Sequence, residues 1–330
     1  MSPSNEIHPR ITGWGKALPS QVVTNFDLES KLDTSDEWIR TRTGIRERRI
    51  AGEGETTSSL AAKASLQALE RAGVKPEDLG LILLATSTSD ALIPATSSTL
   101  QKALGAKGAG ACDVNAACCG FMYGLSIAYQ FISAGTFKNV LVVGSEVYSR
   151  ILDWKDRSTC VLFGDGAGAV VVQGSSKPLG KPSFVLGTEG EHAGLINAPN
   201  SAQPGISSAI SPFLTMDGPK VFKLAVTWMI KSTEKAIENA GLKSEQVSLF
   251  IPHQANIRII EAAANMLKMP KENIFINVDK YGNTASASIP IALCEAVEGN
   301  RVKPGDYIAM TAFGAGISWA SAVIQWNPEI

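Results

Sequence analysis

The chain has 330 residues, 45% of them hydrophobic and 18% charged, enough apolar material for a large core arranged as two domains or one duplicated unit. Its net charge of −1 implies no global attraction to nucleic acid or to an anionic membrane. Five cysteines, at positions 112, 118, 119, 160 and 294, show no CxxC spacing, which predicts reduced thiols and neither a disulfide framework nor a metal centre. Apolar runs such as Leu81–Ala85 and Val140–Val143 are strand-length, far short of the roughly 20 residues of a membrane helix. The stretch Met1–His8 has neither the basic nor the apolar region of a signal peptide, so the expected compartment is the cytoplasm.

In chain order, Ile11-Thr-Gly-Trp-Gly15 leads to Asp33–Arg49, where Trp38 sits among five arginines. Two readings stand side by side: a solvated helix whose Trp38 covers core, or a site where arginines hold phosphate and an aromatic ring stacks on a base. A helix follows over Ser58–Ala72 with Gly73 as its cap, then a strand over Leu79–Ala85 and a loop containing Pro94. Asp113-Val-Asn-Ala-Ala-Cys-Cys-Gly120 is a short extended segment ending in small residues. Beyond it Phe121, Met122, Leu125, Ala128, Phe131 and Ile132 recur at helical spacing. Cys118 is therefore placed at a strand-to-helix turn, where free N–H groups and the helix dipole favour a thiolate nucleophile. The plainer reading is a buried cysteine acting as a small hydrophobe. After the strand Val140–Gly144, Gly164-Asp-Gly-Ala-Gly-Ala169 precedes the β-branched run Val170–Val172. A dinucleotide fingerprint needs its glycines after a strand and before a helix, so these are read as a tight turn.

The second half repeats the first. Ala68-Leu-Glu-Arg-Ala-Gly-Val-Lys aligns with Ala236-Ile-Glu-Asn-Ala-Gly-Leu-Lys, with Gly73 and Gly241 lying 168 positions apart. Asn139-Val-Leu-Val-Val-Gly144 and Gly168–Gln173 find counterparts in Asp306–Thr311 and Ser321–Gln325, and the helix after Cys118 finds one at Ala285–Val297. Two copies of one α/β unit predict a pseudo-twofold molecule with two sheets and helices between and around them. In such a duplication equivalent loops can converge on one pocket. His253 directly follows the apolar strand Leu249–Pro252, and Asn283 precedes the second central helix, so these two join Cys118 as candidates.

The chain resembles the β-ketoacyl-acyl carrier protein synthase III family. The resemblance rests on Asp33–Arg49, the Cys118 segment, Asp156-Arg157, Phe163–Gly168, Pro252-His-Gln-Ala-Asn256, Tyr281-Gly-Asn-Thr284 and Phe313-Gly-Ala-Gly316. It implies a thiolase fold, an internally duplicated five-layer α-β-α-β-α arrangement with halves at 1–180 and 181–330. It also implies a catalytic Cys118–His253–Asn283 triad that condenses an acyl-CoA primer with malonyl-acyl carrier protein to start fatty-acid synthesis, with no cofactor or metal. The backbone N–H groups of Cys118 and Ala315 would form the oxyanion hole. Trp38 and Arg157 would stack the adenine of CoA between them, with Arg42 near its phosphates. Asn256 would line the channel, Phe222 would lie near it, and Phe313 and Gly316 would lie beside the triad. Lys223 and Arg258 would receive the acidic carrier protein. A homodimer is implied, in which Ile93 of one subunit closes the acyl pocket of the other. Three positions depart from common family patterns: Cys119, read as packing; Ala315, where glycine is common; and Ile93, where an aliphatic residue would admit longer or branched primers. A condensing enzyme or acyltransferase of secondary metabolism is the alternative reading.

Overall fold

The computed structural model describes residues 6–198 and 211–329. The first half runs β1 (His8–Ala17), β2 (Gln21–Thr24), α1 (Asn25–Glu29), α2 (Asp36–Thr43), β3 (Glu47–Ile50), α3 (Thr57–Ala72), β4 (Leu81–Ala85), α4 (Thr96–Leu104), β5 (Gly110–Val114), α5 (Gly120–Ser133), β6 (Asn139–Glu146) and β7 (Gly166–Ser175). The second runs β8 (Ser183–Thr188), β9 (Ile196–Asn197), β10 (Thr215–Met216), α6 (Gly218–Asn239), β11 (Val247–Pro252), α7 (Ile257–Met266), α8 (Val278–Tyr281), α9 (Ser288–Glu298), β12 (Tyr307–Gly314) and β13 (Ser318–Gln325).

The continuous apolar runs in β4 and β6 belong to strands covered on both faces. They lie inside a five-stranded sheet ordered β1-β7-β6-β4-β5, parallel from β6 through β4 to β5 and antiparallel elsewhere. The second sheet, β11-β12-β13-β8, repeats that order and those directions. The repeat breaks at one place. Where β5 pairs β4, the second half keeps, among the described residues, only a single bridge between Phe250 and Ile274.

Helix α3 is set by a capping box, Thr56 and Ser59 each bonding the other's backbone N–H, and ends at left-handed Gly73. It packs outside the first sheet on β1 and β7, while α6 packs outside the second on β12 and β13. Helices α5 and α9 fill the middle, touching strands of both sheets, and are apolar on nearly all sides. The layers are therefore α-β-α-β-α.

The glycine-rich stretch before Val170 is not a tight turn. Gly166 and Gly168 lie within β7, Gly168 paired to both β6 and β1 and Gly166 to β6. Their smallness serves a contact remote in sequence: a Cβ on Gly168 would lie 2.6 Å from the backbone N of Ile291 and 2.7 Å from Pro290, both in α9. Gly144 in β6 is equally constrained, its added Cβ falling 2.3 Å from the carbonyl O of Ser286. Glycine here lets the second central helix touch the first sheet's backbone. Replacing Gly168 with alanine should destabilise the protein by about 2 kcal/mol, as overpacking against backbone does. The urea midpoint would fall at unchanged slope; an unmoved midpoint would mean that α9 shifts aside freely.

Candidate active site

Cys118 lies in a single 3-10 turn, Ala117–Cys119, that runs directly into α5. Ala117, immediately before it, is held at φ 48°, a left-handed conformation disfavoured for a residue with a Cβ. Such strain costs on the order of 1–3 kcal/mol and persists where surrounding structure imposes it. The Asn115 side chain supports the turn by accepting from Ala117 N at 3.3 Å. Across the interface, Gly314 at the end of β12 comes so close that a Cβ there would sit 2.9 Å from Cys118 N. The turn expected to favour a thiolate holds a thiol instead. Burial pushes the Cys118 thiol up to about 12, and an ionised Glu146 nearby would add to that rise. Cys118 keeps some exposure to the cavity. Even so, the loss of bulk water around its sulfur is the largest cause of the rise, against which a backbone N–H acts in the other direction.

His253 follows β11, its backbone N donating to Thr311 O of β12 at 2.7 Å. Its side chain is 2% exposed, and Nδ1 has no hydrogen-bond partner among the described residues. Burial lowers its pKa to about 4, so the imidazole is neutral near pH 7. The next residue, Gln254, fixes this loop. Its N donates to Ser288 Oγ at 2.7 Å, its Nε2 to Pro252 O and Phe275 O, and its Oε1 accepts from Asn277 N and Val278 N.

Asn283 is fixed at both ends of its backbone, N donating to Leu162 O at 2.8 Å and O accepting from Gly164 N at 3.0 Å. Its Oδ1 accepts from Ala285 N at 2.9 Å. With the amide oxygen occupied, the NH2 group is the end left to serve a ligand.

Cys118, His253 and Asn283 line one cavity of about 590 Å³, within the range for a small-molecule site. Its walls are mainly apolar, including Leu162, Ile196, Leu214, Met216, Val221 and Phe313. Trp38, Arg42, Phe222 and Asn256, expected to bind substrate, also line it, as do Arg258, expected at the carrier-docking rim, and Ala315, expected at the oxyanion hole. Trp38 is 36% exposed and so is not the core-covering residue of the alternative reading. The Arg157 guanidinium lies 5.2 Å from the Trp38 ring centroid and bonds Asp33 O. The two are in direct contact, so a base can lie between them only if Arg157 swings away. Asn256 caps α7 by accepting from Arg258 N, and its Nδ2 donates to Arg42 O at 3.2 Å, tying two cavity residues together. Arg258 lies over the Phe222 ring.

Arg157, Gly316, Lys223 and Ile93 are not among the cavity's lining residues. Lys223 is on the exposed side of α6, and Ile93 is 85% exposed. Cys119 is fully buried, its Sγ within 3.4 Å of Ser318 O, in keeping with a packing role. Three polar residues beside the site escape sequence reasoning: Tyr148, which lines the cavity, and the fully buried Glu146 and nearly buried Ser286. The one signal that could have found the last two is the 168-residue repeat, which pairs Ser286 with Cys118 and Glu146 with Gly314.

Residues 112–190 and 237–326 match the family profiles described as 3-oxoacyl-[acyl-carrier-protein (ACP)] synthase III and its C-terminal part. A beta-ketoacyl-[acyl-carrier-protein] synthase III of Roseiflexus sp. (strain RS-1) is 50% identical over 322 residues, 96% of this chain and 98% of its own. The chain belongs to the 3-oxoacyl-[acyl-carrier-protein] synthase III family. The crystal structure of the synthase III from Aquifex aeolicus VF5 matches with a TM-score of 0.91 at 49% identity, over 96% of this chain and 100% of that one. The priming β-ketosynthase of the R1128 polyketide biosynthetic pathway matches at 0.92 and 36% identity, over 100% and 99%. The fold of this chain is thus the thiolase fold.

Neutral His253 makes acid a threat to the fold. Its folded pKa is depressed, so its contribution is present above the unfolded value of 6.5 and is lost as pH falls through about 4. In thermal melts, the stability of wild type relative to His253→Ala should shrink by roughly 3 kcal/mol between pH 7 and pH 4. A gap independent of pH would show that the imidazole is charged or solvated.

Proposed function

We propose that the protein carries out the decarboxylative condensation of an acyl-CoA primer with malonyl-acyl carrier protein, initiating fatty-acid synthesis, with Cys118, His253 and Asn283 as its catalytic residues. The observation that carries this reading is the meeting of a thiol, a neutral imidazole and an oriented amide, contributed by both halves, in one cavity. Relatives about half identical over nearly the full length, named for this activity, support it over a secondary-metabolite role.

In the first half-reaction the Cys118 sulfur attacks the thioester carbonyl of acyl-CoA, the S–CoA bond breaks, and the thiol proton leaves with CoA as its SH group. The backbone N–H groups of Cys118 and Ala315 stabilise the oxyanion, each donor of this kind being worth about 3–4 kcal/mol. In the second, the malonyl C–C bond breaks to release CO2, and its electron pair moves onto the thioester as an enolate. Asn283 donates through its NH2, and neutral His253 donates through one ring N–H. The enolate carbon then attacks the acyl-Cys118 carbonyl, and the expelled sulfur takes up a proton. Neutral donors suit a developing enolate because they stabilise it without holding the carboxylate of the substrate beforehand. The steps as written consume no metal or redox cofactor.

Trp38, Arg157 and Arg42 at the mouth would hold the nucleotide end of CoA, with Arg157 opening from Trp38. Exposed Lys223 and the nearby Arg258 would meet the acidic carrier. Phe313 and Asn256 would shape the channel, with Gly316 supporting the Ala315 loop from outside it. A homodimer has support in β5, an edge strand whose outer side pairs with nothing among the described residues, and in exposed Leu92 and Ile93 beside it. We take the place of work to be the cytoplasm, where CoA and carrier protein are held.

Intact mass spectrometry after mixing with a panel of acyl-CoAs tests the first step. Wild type should gain one acyl group that Cys118→Ala does not, and malonyl-carrier protein should remove it. A folded protein that no acyl-CoA loads would sink the reading. Trp38→Ala should raise KM for acyl-CoA by roughly tenfold, the loss of one stacked base, with kcat little changed; a fall in kcat alone would move the nucleotide elsewhere.

A further inference from the structure

The turn that begins the second central helix mirrors the nucleophile's turn. Ala285 takes φ 46° as Ala117 takes 48°, and Ser286 stands where Cys118 stands in the repeat. The mirror site holds no histidine: Ala85 ends β4 where His253 follows β11. What it holds instead is Glu146, fully buried at the end of β6.

Glu146 receives Thr88 Oγ1 at 2.5 Å, Thr86 Oγ1 at 3.2 Å and Ser87 N at 3.1 and 3.2 Å, and meets Ser286 Oγ at 2.7 Å. Among the described residues no cation acts on it. Ser286 Oγ also lies 2.9 Å from Ala85 O, an atom that can only accept. A hydroxyl has one hydrogen to give. Both short contacts of Ser286 are satisfied together only when its hydrogen goes to Ala85 O and the carboxyl donates to Ser286. An anion in this interior would also be costly: burial outweighs the hydrogen bonds from Thr88, Thr86 and Ser87 N that favour the charged form. Thr88 Oγ1 is consistent with this count, since it accepts from Val147 N at 2.9 Å and so gives its own hydrogen to Oε2.

We propose that Glu146 is a positioning residue that works as a neutral carboxylic acid: by donating to Ser286 it ties the turn below Asn283 to the Thr86–Thr88 loop, and it keeps negative charge away from Cys118 while acylation proceeds. Burial, its first cause, raises the Glu146 carboxyl to about 7, close to working pH. The titratable groups facing it are Cys118, from the nucleophile turn, and Tyr148, just beyond β6, both of which it opposes in ionising. The Thr86–Thr88 loop and the Ala285–Ala287 turn present only hydroxyls and backbone groups to it. As pH rises through about 7 the proton is lost, the bond to Ser286 weakens, and an anion beside Cys118 resists thiolate formation.

This inference rests on Cys118 as nucleophile, and infrared spectroscopy tests it without needing activity. Wild type at pH 6 should show the carbonyl stretch of a buried protonated acid that is missing in Glu146→Gln and disappears on titration to pH 9. Ser286→Ala, which removes the acceptor, should shift that band, and carries the test if the glutamine variant does not fold. Single-turnover acylation, followed by mass, is the second arm. Between pH 6 and 9 the rate of Glu146→Gln should rise about tenfold further than that of wild type, the effect of one unit of like-charge repulsion. Absence of the band in wild type, or identical pH profiles in the two proteins, would overturn the proposal.

Discussion

The site depends on a reciprocal steric fit between the two halves. Each central helix begins with a strained turn, and each turn is pressed against the middle strand of the opposite sheet. The Cys118 turn meets β12 at Gly314, and the Ser286 turn meets β6 at Gly144. At both contacts any side chain would collide with backbone, which cannot rotate away. The left-handed alanines before Cys118 and Ser286 are held in place by this fit, not by their own preferences. Because His253 and Asn283 come from one half and Cys118 from the other, loosening either contact separates the triad. Misplacement of about 1 Å is enough to cost such a site a hundredfold in rate.

Burial then sets the electrical state of everything near the sulfur. Cys118 is held as a thiol and His253 as a neutral ring, and desolvation is the first cause for both. The free protein therefore stores no charge at the reacting centre. In the proposed reaction, charge would appear only when the thioester arrives and would be met by dipoles already in place: the Asn283 amide, whose oxygen accepts from Ala285 N, and the backbone of Cys118 and Ala315. Preorganised dipoles in a dry cavity are worth more than the same groups in water and need no reorganisation during the reaction. In that reaction the depth that raises the thiol's proton affinity would also strengthen the proposed oxyanion hole.

Much of this was legible in the chain. The unbroken apolar runs of β4 and β6 announce strands covered on both faces, and the helical period beginning after Gly120 places Cys118 on its turn. The 168-residue repeat gives the two sheets and the pairing of their loops. The charge on Cys118 was misjudged because a helix terminus is visible in sequence and the depth of its burial is not. Gly166 and Gly168 were misread because the α9 backbone that requires them lies more than 120 positions away. Gln254 sat inside a quoted motif, but nothing local shows that its side chain bonds Pro252, Phe275, Asn277 and Val278 at once. The contact of Arg157 with Trp38 is a property of the free molecule, which a motif describing a bound base cannot report.

The duplication explains where the asymmetry lies. A twofold pair of identical turns would give two nucleophiles facing opposite sheets, but the space around Ser286 is filled. Ala85 O and Glu146 take both hydrogen-bonding directions of its hydroxyl, and Gly144 brings backbone to within contact of its carbonyl. Around Cys118 the corresponding places differ: Gly314 brings backbone where the other half has the Glu146 side chain, and His253 replaces Ala85. The same difference appears at the sheet edges, where β5 persists in the first half and its counterpart shrinks to the Phe250–Ile274 bridge. One copy of the unit thus spends its turn on binding the halves together, and this fixed turn is what gives the other copy a rigid wall against which to hold substrate.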